Sequence, residues 1–214
     1  MKTLENEVYE KLESDILNGV LTHDETLSEI KVCERYGVSR TPAREALLLL
    51  EKEGLIRSTG RGIKIVGISD EDIDDIYAIR MRIEGLASKF MAERASESEI
   101  KALSEAVALQ EFYSSKNDAQ KLRELDTRFH EIVYRASASK TLIGTLSTFH
   151  KQICVYREKS LVSPERSGRS VAEHKQILEA ISARKGDLAE KLTYEHVKNA
   201  YEHILKTRKK NTEA

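Results

Sequence analysis

From Ser69 almost to the last residue, apolar side chains recur at three- and four-residue spacing, and only two prolines and ten glycines interrupt all 214 positions. Such a chain buries its apolar surface by packing helix on helix. Between Leu55 and Val66 the period changes. There "LIRS" and "GIKIV", joined by "TGRG", alternate apolar and polar residues about a glycine-rich turn, the pattern of a two-stranded hairpin. Ahead of it, "EVYEKLESDILNG" predicts a helix with Val8, Leu12 and Ile16 on one stripe and Gly19 just past its end. "SEIKVCERYG" predicts a second helix, capped by Ser28 and stopped by Gly37. "SRTPAREALLLLEKEG" predicts a third, with Ser39 as N-cap, Pro42 in the first turn and Gly54 at the end.

Three helices and a hairpin over residues 1–68 make a winged helix-turn-helix, and residues 69–214 make a second domain, joined through "GISDED". Helices are expected there at Glu71 to Arg94, Glu97 to Ser115, Asp118 to Ala136, Lys140 to Leu161, Gly168 to Arg184 and Asp187 to Lys209. The loops between them are short, so neighbours run antiparallel in an all-α bundle and the fold class is mainly α. No 18-residue apolar run and no leader pattern is present, which predicts a cytoplasmic chain with no membrane partner. Cys33 and Cys154 lie far apart without a CxxC pattern and are expected as reduced, buried thiols.

Charged residues make up 33% of the chain, yet the net charge is only -1. The balance hides a local excess: residues 1–29 carry two basic and eight acidic side chains, whereas residues 30–66 carry eight basic and four acidic. If Ser39 caps the third helix, Arg40, Thr41 and Arg44 fall in its first turn and a half, with the two arginines four apart on one face. Ala43, Ala46, Leu47 and Leu50 form the opposite, apolar stripe. A helix packed by one stripe while its N-terminus presents guanidinium groups suits the major groove, where arginine bonds guanine O6 and N7 bidentately. Arg61, between Gly60 and Gly62 at the hairpin tip, is placed for the sugar-phosphate backbone or the minor groove. The ordinary alternative is a solvated basic face. Turn glycine, cap, recognition-type face and wing in this order favour double-stranded DNA as the partner.

Residues 8 to 66, especially "VYEKLESDILNG", "LSEIKVCERYGVSRTPAREALLLLEKEGLI" and "GRG", resemble the N-terminal domain of GntR-family transcription regulators. The resemblance implies that Arg40, Thr41, Arg44, Arg61 and Gly62 contact an operator. The family often carries a basic residue near the position of Ile30, which this chain lacks.

In "LDTRFHEIV", Asp126 and His130 stand at i and i+4 and share one side of a helix. His174 and His196 lie about eleven residues to either side of the "RKGD" loop, so an antiparallel hairpin brings them to one level. His203 falls farther out, and His150 has no spacing partner. One carboxylate and three imidazoles suit a divalent metal, with Zn, Ni, Mn and Fe all compatible. Each residue also has a plainer reading: a histidine bonded within the core, or an Asp126 paired with Arg123 or Arg128.

"IYAIRMRIEGLAS", "LDTRFHEIV" and "EHKQILEAI" are similar to the helical ligand-binding domain of the FadR subgroup, the FCD domain, over about Asp70 to Lys206. The resemblance implies metal ligation by Asp126, His130, His174 and His196. Where the family commonly has a Gly-Asn turn, this chain has Ala138 and Ser139.

Together these readings predict a repressor-type transcription regulator, binding a palindromic operator as a homodimer and answering to a small organic acid held near the metal. Arg80 and Arg82 are expected to add positive charge if they face that cavity, the alternative for both being a pair with Glu84 or another surface acid. The competing class is a metal-dependent hydrolase or lyase on the same Asp/His3 set.

Overall fold

A computed structural model describes residues 3–17, 19–22, 25–60, 62–66, 69–153 and 164–212. The chain divides into two compact units, Met1–Asp72 and Ile73–Ala214.

The first unit contains α1 (Leu4–Leu17), β1 (Thr26–Leu27), α2 (Glu29–Tyr36), α3 (Arg40–Lys52), β2 (Ile56–Thr59) and β3 (Gly62–Ile65). Val8, Leu12 and Ile16 of α1 meet Val32 of α2 and Ala43, Ala46, Leu47 and Leu50 of α3 in one buried cluster. The helix-period stripes therefore close on one another. Ser28 caps α2 by accepting from the Lys31 N–H, and Gly37 ends it in the left-handed conformation at φ 67°. Ser39 precedes α3, but its hydroxyl makes no capping bond, so the expected side-chain cap there is absent.

The expected hairpin is β2–β3, antiparallel, with Ile56 opposite Ile65 and Thr59 opposite Gly62. β1 adds a third strand, in the order β1-β3-β2. Sequence reasoning missed β1 because two residues with one apolar side chain carry no readable alternation. Gly62 has φ 129°, and a Cβ on it would stand 2.9 Å from Thr26 Cγ2 and 3.1 Å from the Leu27 carbonyl oxygen. The approach of β1 thus demands glycine independently of any ligand.

The second unit takes all but the first turn of α4 (Asp70–Arg94), then α5 (Glu97–Ser115), α6 (Ala119–Ala136), α7 (Lys140–Gln152), α8 (Pro164–Ser182) and α9 (Gly186–Thr212). Ser96 and Glu99 form a reciprocal capping box at the start of α5, and Asp118 caps α6. The expected extension of α7 to Leu161 lies outside the described residues beyond Ile153. α8 begins at Pro164 rather than Gly168; proline suits a first helical position, and the glycine is simply accommodated inside. Gly85 of α4 lets the α9 backbone approach: a Cβ would lie 2.8 Å from the Glu190 carbonyl oxygen. The core gathers Met91, Leu103, Phe129, Val133, Leu146, Ile177 and Ile181. Among the described residues no helix is long and apolar enough to cross a membrane. Cys33 is half-buried rather than buried, with a free thiol; Cys154 lies outside the described residues.

The short connections turn through left-handed residues that are not glycine: Asn117 (φ 54°), Ala138 (φ 54°) and Arg184 (φ 57°). Ala138 is exposed, so its methyl group strains the backbone without filling the core. Ala138→Gly is accordingly expected to stabilise the chain by about 1 kcal/mol in urea unfolding; a loss would show that the methyl group packs.

Candidate nucleic-acid interface and candidate metal centre

On α3, Pro42 and Ala43 face the core while Arg40, Thr41 and Arg44 are exposed. The arginines thus project from a helix whose other side is fixed by packing. Arg44 is held by a neighbour that the sequence did not suggest. Its Nε donates to Glu29 Oε1 at 2.7 Å and its Nη2 to Glu29 Oε2 at 3.1 Å, a two-pronged bridge from α3 to the start of α2. The Arg44 hydrogen bonds, with added attraction from Arg40, hold the Glu29 carboxyl below its ordinary range. Ile30 beside it is exposed, an apolar side chain at the end of α2 that carries Glu29. Arg61 lies outside the described residues, and Gly62 occupies the start of β3 beside it.

In the second unit, Asp126 and His130 of α6 meet His174 of α8 and His196 of α9, all buried. His174 Nε2 and His196 Nε2 are 3.3 Å apart, and Asp126 Oδ1 lies 3.7 Å from His174 Nε2 and 3.9 Å from His130 Nε2. One donor atom from each histidine falls within 4.8 Å of the others. Ligands at about 2.1 Å from a common ion stand roughly 3.0–3.5 Å apart, so the His174–His196 pair already has ligand spacing, while the widest histidine spacing and the Asp126 oxygen would have to close in on an ion.

The other ring nitrogens decide which face each histidine presents. Gln110 of α5 donates its amide N–H to the Leu125 carbonyl at 2.9 Å, which turns its oxygen toward His174 Nδ1, also at 2.9 Å. His196 Nδ1 lies 2.7 Å from Glu173 Oε2, and His130 Nδ1 lies 2.7 Å from Glu84 Oε1. Each acceptor calls for the proton on Nδ1, so in its neutral form each ring has its Nε2 lone pair on the opposite, inward side. Where both Nδ1 positions carry the proton and the rings are neutral, the Nε2 atoms of His174 and His196 face each other as lone pairs, an arrangement that a shared proton or a metal ion between them relieves. The donor set therefore fits a divalent ion of borderline softness. Phe129 stacks on the His174 ring at 3.8 Å between centroids and fixes its plane.

The acceptors are supported in turn. Glu84 Oε2 receives the Arg80 Nε at 2.8 Å and Oε1 the Tyr134 hydroxyl at 2.9 Å. Burial pushes the Glu84 carboxyl up, but Arg80 and His130 outweigh it and hold the group well below the usual carboxylate range. Arg166 Nη1 lies 3.1 Å from Glu173, whose carboxyl is likewise raised by burial and lowered further by the His196 hydrogen bond and by Arg166. Arg80 is buried and pairs with Glu84, the alternative weighed for it, whereas Arg82 is exposed. Two positions along a helix turn about 200°, so only one of the two arginines stands by the histidines. Among the described residues, Arg80 Nη1 has no hydrogen-bond acceptor.

His150 of α7, which has no spacing partner in the sequence, packs its ring 5.9 Å from that of His130. His203 stays outside the cluster and lines a separate cleft with Arg166, Arg169 and Lys206. Of the residues that sequence reasoning passed over, Glu173 had the signal of adjacency to His174 and Gln110 had none.

The sequence pattern described as "Bacterial regulatory proteins, gntR family" matches residues 4–65, and the FCD domain pattern matches residues 75–199. The HTH-type transcriptional regulator YdhC of Bacillus subtilis (strain 168) is 29% identical over 199 residues, 92% of this chain and 88% of that protein. The HTH-type transcriptional repressor RspR of Escherichia coli (strain K12) is 25% identical over 208 residues, covering 97% and 91%. Among solved structures, E. coli McbR/YncC superposes with a TM-score of 0.80 at 18% identity, over 97% of this chain and 100% of that one, a likeness of fold.

Replacing Arg80 with Met strips a buried carboxylate of its cation. The expected cost is roughly 3–5 kcal/mol in equilibrium urea unfolding; a cost below about 1 kcal/mol would mean that Glu84 does not depend on this partner.

Proposed function

Because the chain belongs to the GntR family of bacterial regulatory proteins, carries an FCD domain and is a DNA-binding transcription regulator, we propose that it is a metal-dependent, metabolite-responsive repressor. Its relatives are transcription regulators and not enzymes, which removes the hydrolase or lyase alternative. Arg40, Thr41 and Arg44 read the operator from α3, with Arg61 and Gly62 contributing from the wing. Two chains pair so that two α3 helices reach half-sites about one turn of duplex apart.

In the bundle, Asp126, His130, His174 and His196 hold a divalent ion, Zn above Ni, Mn or Fe. The observation that carries this reading is the set of three Nδ1 positions all facing acceptors, with the Nε2 atoms turned to one point. Bound there, such an ion supplies a Lewis-acidic position for an oxygen ligand. The charge balance indicates the ligand's sign. The pairs Arg80 with Glu84 and Arg166 with Glu173 cancel, and a divalent ion against the single Asp126 carboxylate leaves 2 - 1 = 1 positive charge. A small carboxylate answers that charge, and the Arg80 Nη1 offers it a second anchor. The effector changes operator affinity only as far as it binds the DNA-competent and incompetent states unequally.

Native mass spectrometry with elemental analysis, on protein purified without chelator, tests the metal and the pairing together. The expected particle holds two chains and one divalent ion per chain, and His174→Ala and His196→Ala lose the ion. An ion-free wild type, or unchanged ion content in both variants, contradicts the centre. Arg44→Ala is expected to keep its ion and to weaken operator binding by about 1–3 kcal/mol in a fluorescence titration; unweakened binding would remove Arg44 from the interface.

A further inference from the structure

An exposed ion pair contributes little to stability, and Arg44 and Glu29 are 64% and 32% exposed in their side chains. What their bridge does is fix an orientation. Both ends sit on helices locked into the same core, α2 through Val32 and α3 through Ala43, Ala46, Leu47 and Leu50, so the carboxylate and the guanidinium meet at a set place. Guanidinium has five N–H donors arranged along two usable forks. Glu29 takes the fork made by Nε and Nη2, leaving both hydrogens on Nη1 and one on Nη2. Those remaining donors form the end-on fork, which matches guanine O6 and N7.

We propose that Glu29 is a positioning residue for DNA reading: it occupies one fork of Arg44 and presents the other, already oriented, to a base pair. The inference rests on the reading of Arg44 as a DNA contact. A long side chain ordered before binding loses less freedom on the duplex, so the gain appears in specific affinity and base preference. Against phosphates in general, a carboxylate is neutral or unfavourable. The two effects have opposite signs, and that difference separates orientation from simple screening of Arg44.

The test uses the full-length chain with E29A, E29Q, R44A and the E29A/R44A double variant. The specific probe is a duplex enriched by the wild-type chain from a randomised library, and the non-specific probe is the same duplex scrambled. E29A is expected to weaken the enriched duplex roughly ten-fold while leaving the scrambled one within about two-fold or slightly tighter. E29Q, which keeps the shape and loses the charge, falls between. Repeated selection with E29A should flatten preference at the same base pairs that R44A flattens. In the R44A background E29A should add less than about two-fold. Tighter or unchanged binding of the enriched duplex by E29A overturns the proposal, since Glu29 would then be a competitor or a bystander. Equal losses on both duplexes, or an undiminished loss in the R44A background, also overturn it by assigning Glu29 to the integrity of α2. If R44A itself binds the enriched duplex normally, the fault lies in placing Arg44 on DNA, and the proposal falls with that reading.

Discussion

Three buried imidazoles each set Nδ1 against a fixed oxygen acceptor, and this leaves their other ring nitrogens gathered beside a carboxylate. The acceptors come from α4, α5 and α8, and the histidines from α6, α8 and α9, so five helices must be in register for the arrangement to exist. Polar groups in a core are costly unless each finds a partner, and here the partners are themselves anchored: Gln110 by Leu125, Glu84 by Arg80 and Tyr134, Glu173 by Arg166 and Asn199. The bundle is thus built around a polar centre whose cost is met by connectivity, with Phe129, Met91 and Ile177 packing about it.

The first unit applies the same device at its surface. A flexible cation is made specific by an acid from a neighbouring helix, Glu29 against Arg44 outside, as Glu84 against Arg80 is inside. Burial separates the consequences. Breaking the exposed pair costs little stability, whereas removing one partner of the buried pair leaves an uncompensated charge in the core. In both units the arrangement comes from pairing rather than from net charge, which is only -1 for the whole chain.

Much of this was legible in the sequence, for identifiable reasons. Helical period placed the packing stripes, because Ala43, Ala46, Leu47 and Leu50 can share a side only on a helix. Equal spacing about the "RKGD" loop brought His174 to His196, because rise per residue is constant along both helices. What escaped depended on contacts with no fixed spacing. Gln110 reaches His174 across 64 positions and His150 comes to His130 through the packing of α7, and neither has a periodic signature. β1 was too short to alternate, and Glu29 lay fifteen positions from Arg44, across a turn whose angle no pattern specified. Arg80 and Arg82 were separable in principle, since two positions on a helix face opposite ways, but which one faced inward depended on the neighbours of α4.

The most direct measurement is the protonation state of the ring nitrogens, read by long-range proton–nitrogen NMR on nitrogen-labelled protein loaded with zinc. His130, His174 and His196 are predicted to carry hydrogen on Nδ1 and to have Nε2 shifted by coordination. A proton on Nε2 of any of the three in the loaded protein would contradict the convergence on which the centre depends.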